Sequence, residues 1–339
     1  MEKSRVYFTD MRTTENSNLQ KKLARLIRKA GIGNIDFEKK YVAIKIHFGE
    51  PGNLSYLRPN YAKTVADTVK DLDGKPFLTD CNTLYVGGRK NALDHIDTAY
   101  LNGFSPFSTG CHVIIADGLK GTDEVLVPVS GGKYVKEAKI GRAVMDADVF
   151  ISLTHFKGHE ITGFGGALKN IGMGCGSRAG KMEMHSAGKP YVIQEQCVGC
   201  GRCIGVCHRD AIKPADDESF DILNQKVAEY TKAVVDKRPC FHISLVVDVS
   251  PQCDCHSGND AAIVPDVGMF ASFDPVALDV ACADAVNAQP PIQNSQLKEH
   301  WNESGDHFHK VGPNTNWKVG IAHAVELGIG TTEYELIRV

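Results

Sequence analysis

Apolar and polar positions alternate along the first 155 residues in a way that predicts successive helices and strands. Residues 19–30 place Leu19, Leu23 and Leu26 on one helical face, and Gly31 is suited to end that helix. The predicted strands cover 41–46, 76–79, 112–116 and 149–153, and the other predicted helices cover 59–72, 90–101 and 138–146. This order predicts an α/β fold, a mostly parallel sheet flanked by helices.

The alternation stops at His155 and resumes only after residue 214. A glycine-rich polar stretch is followed by a cysteine-rich segment, after which helices are predicted at 221–235, 275–286 and 315–327 and a strand at 241–247. Asp274 and Pro275 form an N-cap and first-turn pair for the helix at 275–286. We therefore expect residues 1–190 and 215–339 to form two parts of one α/β body, separated by an insertion at 191–214.

Composition excludes several classes of protein. Of the 339 residues, 42% are hydrophobic and 23% are charged, and 38 Lys and Arg against 41 Asp and Glu give a net charge of −3. The chain contains no basic block, so a nucleic-acid partner is not expected. Neither a secretory signal nor an apolar run of about 18 residues is visible, which predicts a soluble cytoplasmic protein without a membrane partner.

The eleven cysteines are the unusual part of the composition. An odd number cannot pair completely as disulfides, and a cytoplasmic thiol is normally reduced. The segment from Cys197 to Cys207 has the spacing Cys-x2-Cys-x2-Cys-x3-Cys of a bacterial ferredoxin half, which holds a [4Fe-4S] cluster; its ligands would be Cys197, Cys200, Cys203 and Cys207. Zinc is the rival metal, but zinc sites usually present two separated pairs of ligands.

The number of clusters is one or two, and the sequence favours two. In two-cluster ferredoxins the fourth cysteine of each motif binds the other cluster, and this chain has a single motif. The remaining central cysteines could complete a second cluster, which would make eight ligands in total: they are Cys175, Cys240, Cys253 and Cys255. Cys253 and Cys255 are the best of these candidates because they lie in a polar loop, whereas Cys240 begins a predicted strand.

Two polar segments that follow predicted strands are candidates for a substrate site. Strand alternation places Lys45 and His47 on one face, at the sheet edge where α/β proteins bind ligands. The second segment supplies His155, Lys157, His159 and, after a glycine-rich turn, Lys169. We expect these residues to bind a small anionic substrate or to supply protons. A mononuclear metal at His155 and His159 is less favoured, since Gly158 argues against the helix that would align them.

The glycine-rich turn before Lys169 matches neither a P-loop nor the dinucleotide fingerprint. If it opens a helix, its backbone N–H groups would attract a carboxylate or phosphate. Lys181 and His185 add donors nearby. The segment from Asp80 to Tyr85, which ends another predicted strand, could line the same cleft or form a capped turn. Asp117 and Gly118, at the end of the next predicted strand, allow the same two interpretations.

Several of these segments together resemble the domain-of-unknown-function family number 362. The resemblance rests on KIHFGE at 45–50, TDCNTLY at 79–85, HFKGHEITGFGGALKNIGMG at 155–174, the ferredoxin-like motif, SPQCDC at 250–255 and VPDVGMFASFDPVALD at 264–279. It extends from about Tyr41 to Tyr334. It implies an α/β body with a ferredoxin-like insertion in a cytoplasmic iron–sulfur protein. His208 departs from the proline usual after the fourth cysteine.

The sequence favours an iron–sulfur redox protein that passes electrons through one or two [4Fe-4S] clusters to a small anionic substrate, a cofactor or a redox partner protein. Two alternatives remain. One is a non-redox enzyme with a His/Lys anion site and a structural cluster. The other is a pure electron carrier, although a small ferredoxin performs that task with far fewer residues.

Overall fold

The structure is a computed structural model, and it describes residues 3–85, 87–185, 191–192, 212–213 and 219–339. The strands in this part of the chain are β1 (Ser4–Asp10), β2 (Tyr41–Lys45), β3 (Lys75–Asp80), β4 (His112–Ile115), β5 (Glu124–Pro128), β6 (Glu137–Gly141), β7 (Val149–His155), β8 (Lys157–His159), β9 (Gly163–Gly165), β10 (Tyr191–Val192), β11 (Ile212–Lys213), β12 (Cys240–Val246), β13 (Gly268–Ser272) and β14 (Tyr334–Arg338).

The helices alternate with these strands over much of the chain. They are α1 (Leu19–Lys29), α2 (Pro59–Asp71), α3 (Ala92–Leu101), α4 (Pro106–Thr109), α5 (Arg142–Asp146), α6 (Ala167–Cys175), α7 (Arg178–His185), α8 (Phe220–Val235), α9 (Pro275–Asn287), α10 (Gln296–Glu299), α11 (His307–Val311) and α12 (Trp317–Glu326). A short 3₁₀ turn covers Ile32–Asn34. As expected, the side chain of Asp274 caps α9 by accepting from the backbone N–H groups of Val276 and Ala277.

Eight strands form the main sheet in the order β14-β1-β13-β12-β7-β2-β3-β4. β13 runs antiparallel to both of its neighbours, and the other neighbouring pairs are parallel. The fold is therefore α/β with a mostly parallel sheet, as the sequence predicts. β12, from the second part of the chain, lies beside β7 from the first part, so both parts build one sheet.

Alternate residues of the central strands enter two separate apolar cores. In β2, Val42 and Ile44 pack in the core that contains α1 and α2, whereas Ala43 packs in the core that contains α6 and α8. A parallel strand covered on both faces is apolar almost throughout, which explains the nearly continuous apolar run that predicts it. By the same alternation, Lys45 lies on the side of the sheet covered by α6.

One predicted element is wrong. Residues 138–146 do not form a single helix, because Glu137–Gly141 is strand β6, paired antiparallel with β5, and only Arg142–Asp146 is helical. The run is rich in helix-favouring residues, but pairing with the preceding strand β5 overrides that preference. Apart from β10 and β11, the predicted insertion at 191–214 lies outside the described residues, so its boundaries stay a prediction.

Candidate functional site

A cavity of about 610 Å³ opens where β2, β3, β7 and β12 end. This is the carboxyl edge of the parallel strands, the usual ligand position in an open α/β sheet. Every histidine and lysine predicted for the site lines this cavity: Lys45, His47, His155, Lys157, His159 and Lys169. The fold therefore brings together two segments that are more than 100 residues apart in the sequence.

One side of the cavity, here named the ion wall, is a buried network of Lys45, Asp80, Arg89 and Glu50. Lys45 Nζ lies 3.0 Å from Asp80 Oδ1, and the Arg89 guanidinium lies 3.3 Å from Asp80 Oδ2 and 3.0 Å from Glu50 Oε2. Burial alone would raise the pKa of Asp80, but Lys45 and the other nearby cations hold it well below its usual range. Every charge in the ion wall has an opposite partner within the protein.

Two further side chains extend the ion wall. The amide of Asn170 in α6 accepts from Lys45 Nζ at 2.8 Å, and the Tyr85 hydroxyl accepts from Arg89. His47 stands beside the network, and its Nδ1 accepts the backbone N–H of Gly49 at 3.1 Å. Burial, together with the charge of Arg89, lowers the pKa of His47 well below its ordinary value. His47 therefore presents a neutral imidazole to the cavity at pH 7.

His155 and Lys157 both contact the buried carboxylate of Asp254. Its Nδ1 lies 2.8 Å from Asp254 Oδ2 and its Nε2 lies 2.8 Å from the Val247 carbonyl oxygen. Lys157 Nζ is 3.4 Å from the same Asp254 carboxylate, which is fully buried. Both ring nitrogens of His155 are already occupied by protein acceptors. Through Asp254, His155 and Lys157 therefore anchor the loop that carries Cys253 and Cys255.

The opposite side of the cavity, here named the thiol wall, consists of Lys169, His159, Cys253 and Cys255. Lys169 Nζ donates to Cys253 Sγ at 3.1 Å. A hydrogen bond from Cys255, with Lys169 and His159 adding to it, lowers the pKa of Cys253 well below its ordinary value in spite of burial. Burial acts to lower the pKa of Lys169, but the Cys253 thiolate outweighs it and raises that pKa. Cys253 is thus held as a thiolate.

Cys175 and Cys240 do not join the thiol wall, and neither lines the cavity. Cys240 begins β12, so the length of that strand, on the order of 20 Å, separates it from the loop that follows. Cys175 ends α6 inside the apolar core, about 9 Å along the helix from Lys169 by helical rise. Burial raises the pKa of Cys175 to about 12 and that of Cys240 to about 11. The four remaining central cysteines therefore do not assemble into one set of ligands.

The glycine-rich turn opens a helix, as expected, but its N–H groups are not free for an anion. The backbone N–H groups of Ala167 and Leu168, at the start of α6, donate to the Asp279 carboxylate at 2.6 and 2.9 Å. A Cβ atom at Gly166 would lie 2.4 Å from Asp279 Oδ1, so glycine is required there. The Asp279 side chain therefore occupies the position at which an anion was expected to bind.

The segment from Asp80 to Tyr85 realises both expectations at once. Cys81, Thr83 and Tyr85 line the cavity. In contrast, Asn82 forms the capped turn, since its backbone and side-chain N–H groups donate to Asp117 Oδ1 at 2.9 and 2.8 Å. Glu50 belongs to the first polar segment that the sequence indicates, but sequence reasoning missed Arg89, because an arginine in a loop is normally exposed.

The predicted cluster ligands Cys197, Cys200, Cys203 and Cys207 lie outside the described residues. Two described residues, one before and one after this motif in the sequence, line the cavity. They are His185, at the end of α7, and Leu223, in the first turn of α8. Burial lowers the pKa of His185 to about 4, which keeps its imidazole neutral.

The family model described as "Domain of unknown function (DUF362)" matches residues 42–284. The chain belongs to the DUF362 family. The matched region includes both walls of the cavity, but it ends before Tyr334, to which the sequence resemblance extends. The name of this family states no activity.

Other similar proteins are more distant. A thylakoid-associated protein of Synechocystis is 27% identical over 154 residues, which cover 43% of this chain and 42% of that relative. A crystal structure of a Thermotoga maritima protein shares 15% identity at a TM-score of 0.45, with 80% of this chain and 59% of that chain covered. The lactate racemase apoprotein of Thermoanaerobacterium thermosaccharolyticum shares 13% identity at a TM-score of 0.38, with 72% and 51% covered. The DUF362 chain thus spans less than two thirds of each of these proteins. Among the described residues, no helix has the length and apolar character needed to cross a membrane.

Proposed function

We propose that this DUF362 protein is an iron–sulfur redox enzyme that passes electrons from a [4Fe-4S] cluster to a small anionic substrate in the cavity. The ligands would be Cys197, Cys200, Cys203 and Cys207. The observation that carries the proposal is that His185 and Leu223, which precede and follow the cysteine motif in the sequence, both line the cavity. This supports a cluster close to the predicted substrate site.

The donor set favours one cluster over two. A second [4Fe-4S] cluster would need four thiolates, and the described cysteines offer only Cys253 and Cys255 together. Cys175 and Cys240 are core thiols with raised pKa values. The cluster supplies single-electron reduction when bound; the described residues would bind and orient the substrate and hold its protons.

The charges that line the cavity support an anionic substrate. Of the five cationic side chains that border it, four are paired within the protein, and the fifth is Lys181. The paired ones are Lys45 and Arg89 with Asp80 and Glu50, Lys157 with Asp254, and Lys169 with Cys253. Lys181 Nζ donates to the carbonyl oxygens of Gly176 and Gly174 at 2.5 and 3.5 Å. Because carbonyl groups do not cancel its charge, Lys181 is the best counter-ion for the substrate. His47 would exchange a proton at its neutral ring.

Anaerobic purification tests the cluster directly. We expect about four iron and four sulfide per chain, with broad visible absorbance that dithionite bleaches. The Cys200→Ala variant should lose that absorbance, whereas the matched Cys240→Ala variant should keep it. Iron bound without a reducible cluster would overturn the proposal.

A second measurement tests the anion site with inorganic phosphate as the probe. Phosphate should raise the melting temperature of the wild-type chain and have a smaller effect on the Lys181→Met variant. Lys120→Met, which removes an exposed lysine, is the control and should respond like the wild type. An equal response of all three chains would exclude Lys181 as the counter-ion.

A further inference from the structure

We propose that Glu160, Cys255 and His256 form a mononuclear site for a divalent transition-metal ion, with zinc the best match. One ligand atom from each residue lies within 4.8 Å of the other two. None of the three belongs to the ferredoxin-like motif. The site therefore goes beyond the proposed cluster and does not depend on it.

The site is assembled from two loops. Glu160 follows β8, and Cys255 and His256 lie in the loop after β12. His256 Nε2 and Glu160 Oε1 are already 2.8 Å apart, which joins the two loops across 96 residues of sequence. A metal ion would take the place of that hydrogen bond and keep the same two side chains together.

Buried contacts hold the second loop in place. Asp254, between the two cysteines, is fixed by His155 and Lys157 and accepts from the Ser55 hydroxyl at 3.3 Å. The Asn53 side chain donates to the His256 carbonyl oxygen at 3.0 Å. A ligand loop held from behind in this way resembles the supporting shell of a metal centre, in which neighbouring groups fix the ligands before the ion arrives.

The donor atoms select the kind of metal. A thiolate, an imidazole and a carboxylate suit zinc and similar borderline ions, whereas calcium and magnesium prefer oxygen ligands alone. Metal binding would release the Cys255 proton to solvent, and the resulting thiolate and Glu160 would then balance a divalent cation. Lys169 Nζ donates to Cys253 Sγ at 3.1 Å, outside this set of ligands.

Three protein ligands leave a tetrahedral ion with one open position, as in catalytic zinc sites. Glu160, Cys255 and His256 all line the main cavity. A ligand in the open position would come from the cavity, so the ion could polarise an oxygen atom of a bound substrate. This gives the thiol wall a Lewis acid that complements the cations around it.

Cobalt(II) is a spectroscopic probe for this site. The full-length chain is purified anaerobically with its native metals, treated with a chelator for labile zinc, and titrated with Co²⁺. We expect one equivalent to bind with a thiolate-to-cobalt charge-transfer band and the visible bands of tetrahedral cobalt, and zinc to displace it.

Variants locate the bound ion. Cys255→Ser should abolish the charge-transfer band, and His256→Gln and Glu160→Gln should each weaken Co²⁺ binding about tenfold or more. Cys240→Ser is the matched control and should bind Co²⁺ like the wild type. Unfolding midpoints measured on the same samples check that each variant is folded. The proposal fails if the wild type shows no such bands, or if folded variants bind Co²⁺ unchanged.

Iron and sulfide contents distinguish this proposal from the cluster. If the proposal is right, Cys255→Ser retains the iron and sulfide of the wild type. Loss of both in that variant would make Cys255 a cluster ligand and would overturn the mononuclear site. A wild type with the cobalt bands but no reducible cluster would overturn the redox proposal while supporting this one.

Discussion

The ion wall and the thiol wall face the same cavity, and they differ in how their charges are satisfied. In the ion wall, Lys45 and Arg89 share the Asp80 carboxylate, and Glu50 takes the remaining side of Arg89. In the thiol wall, Lys169 faces a cysteine, and the adjacent Cys255, His256 and Glu160 present ligand atoms to one another. The first wall is complete within the protein; the second has the donor atoms of a site that an ion would complete.

Because of this difference, we expect substitutions in the two walls to have different effects. A buried ion network with full pairing resists the removal of any one member, because its partner is then left charged and buried. The pKa of Cys253 is lowered by Cys255, Lys169 and His159, so its reactivity depends on these neighbours. We therefore expect substitutions in the ion wall to act mainly on stability and substitutions in the thiol wall to act mainly on reactivity.

The largest effect is expected for Asp80→Asn in the ion wall. The variant leaves Lys45 and Arg89 without their shared counter-charge, and we expect a loss of about 3–5 kcal/mol in the free energy of unfolding. Urea denaturation measures it. Adding Lys45→Met to Asp80→Asn should recover part of the loss, since one buried cation is removed.

The control for this prediction is an ion pair at the surface. Arg28 and Asp71 lie 2.6 Å apart, but their side chains are 55% and 62% exposed. Asp71→Asn should change the free energy of unfolding by less than about 1 kcal/mol. Similar losses for Asp80→Asn and Asp71→Asn would contradict the view that the ion wall is a stability element.

A smaller, pH-dependent effect is expected at Asp279, which caps the helix shared by both walls. Burial raises the pKa of Asp279 from 3.8 to about 7, so between these values the folded chain holds a proton that the unfolded chain releases. This group therefore stabilises the fold least at high pH, and its contribution declines as the pH rises from about 4 to about 7. Relative to Asp279→Asn, the wild type should lose on the order of 2 kcal/mol across this range.

Unfolding midpoints at several pH values measure that difference. Asp221→Asn removes an exposed acid from the first turn of α8 and is the matched control. The gap between wild type and this control should stay nearly constant with pH. A constant gap for Asp279→Asn as well would mean that its carboxyl titrates at the same pH in the folded and unfolded chains.

The smallest effect in free energy is expected for Lys169→Met in the thiol wall. Without the ammonium group, Cys253 should be protonated more often at pH 7, and its alkylation by iodoacetamide should slow about tenfold, equivalent to about 1.4 kcal/mol. Mass spectrometry of the Cys253 peptide, after chelation of labile metal, follows the reaction. Lys181→Met removes a second cavity lysine that is bonded to carbonyl groups, and its alkylation rate should match the wild type. Equal slowing in both variants would assign the effect to the field of the whole cavity.

Periodicity predicts the central elements of the fold because local pattern and final burial agree there. The strand at Tyr41–Lys45 is apolar because both of its faces are covered, and the alternation correctly places Lys45 and His47 on the cavity side. The pattern fails for Glu137–Gly141, whose strand depends on pairing with Glu124–Pro128. That pairing leaves no local periodic signal.

The candidate site is only partly visible in the sequence for a related reason. The histidines and lysines at strand ends follow from topology, since parallel strands end at one edge. The pairing of Arg89 with Glu50 and of His256 with Glu160 joins loops whose separations, 39 and 96 residues, leave no pattern. The sequence also does not reveal that Asp279 occupies the start of α6.

The glycines around α6 have a consequence for how this family's sequences should be interpreted. A Cβ atom at Gly174 would lie 2.6 Å from Lys45 Nζ, and one at Gly166 would meet the Asp279 carboxylate. At both positions, a charged side chain from elsewhere in the chain occupies the space that a larger residue would fill. The composition of this glycine-rich stretch suggests a flexible loop. Its glycines are instead closely packed, because they leave room for charged side chains from other parts of the sequence.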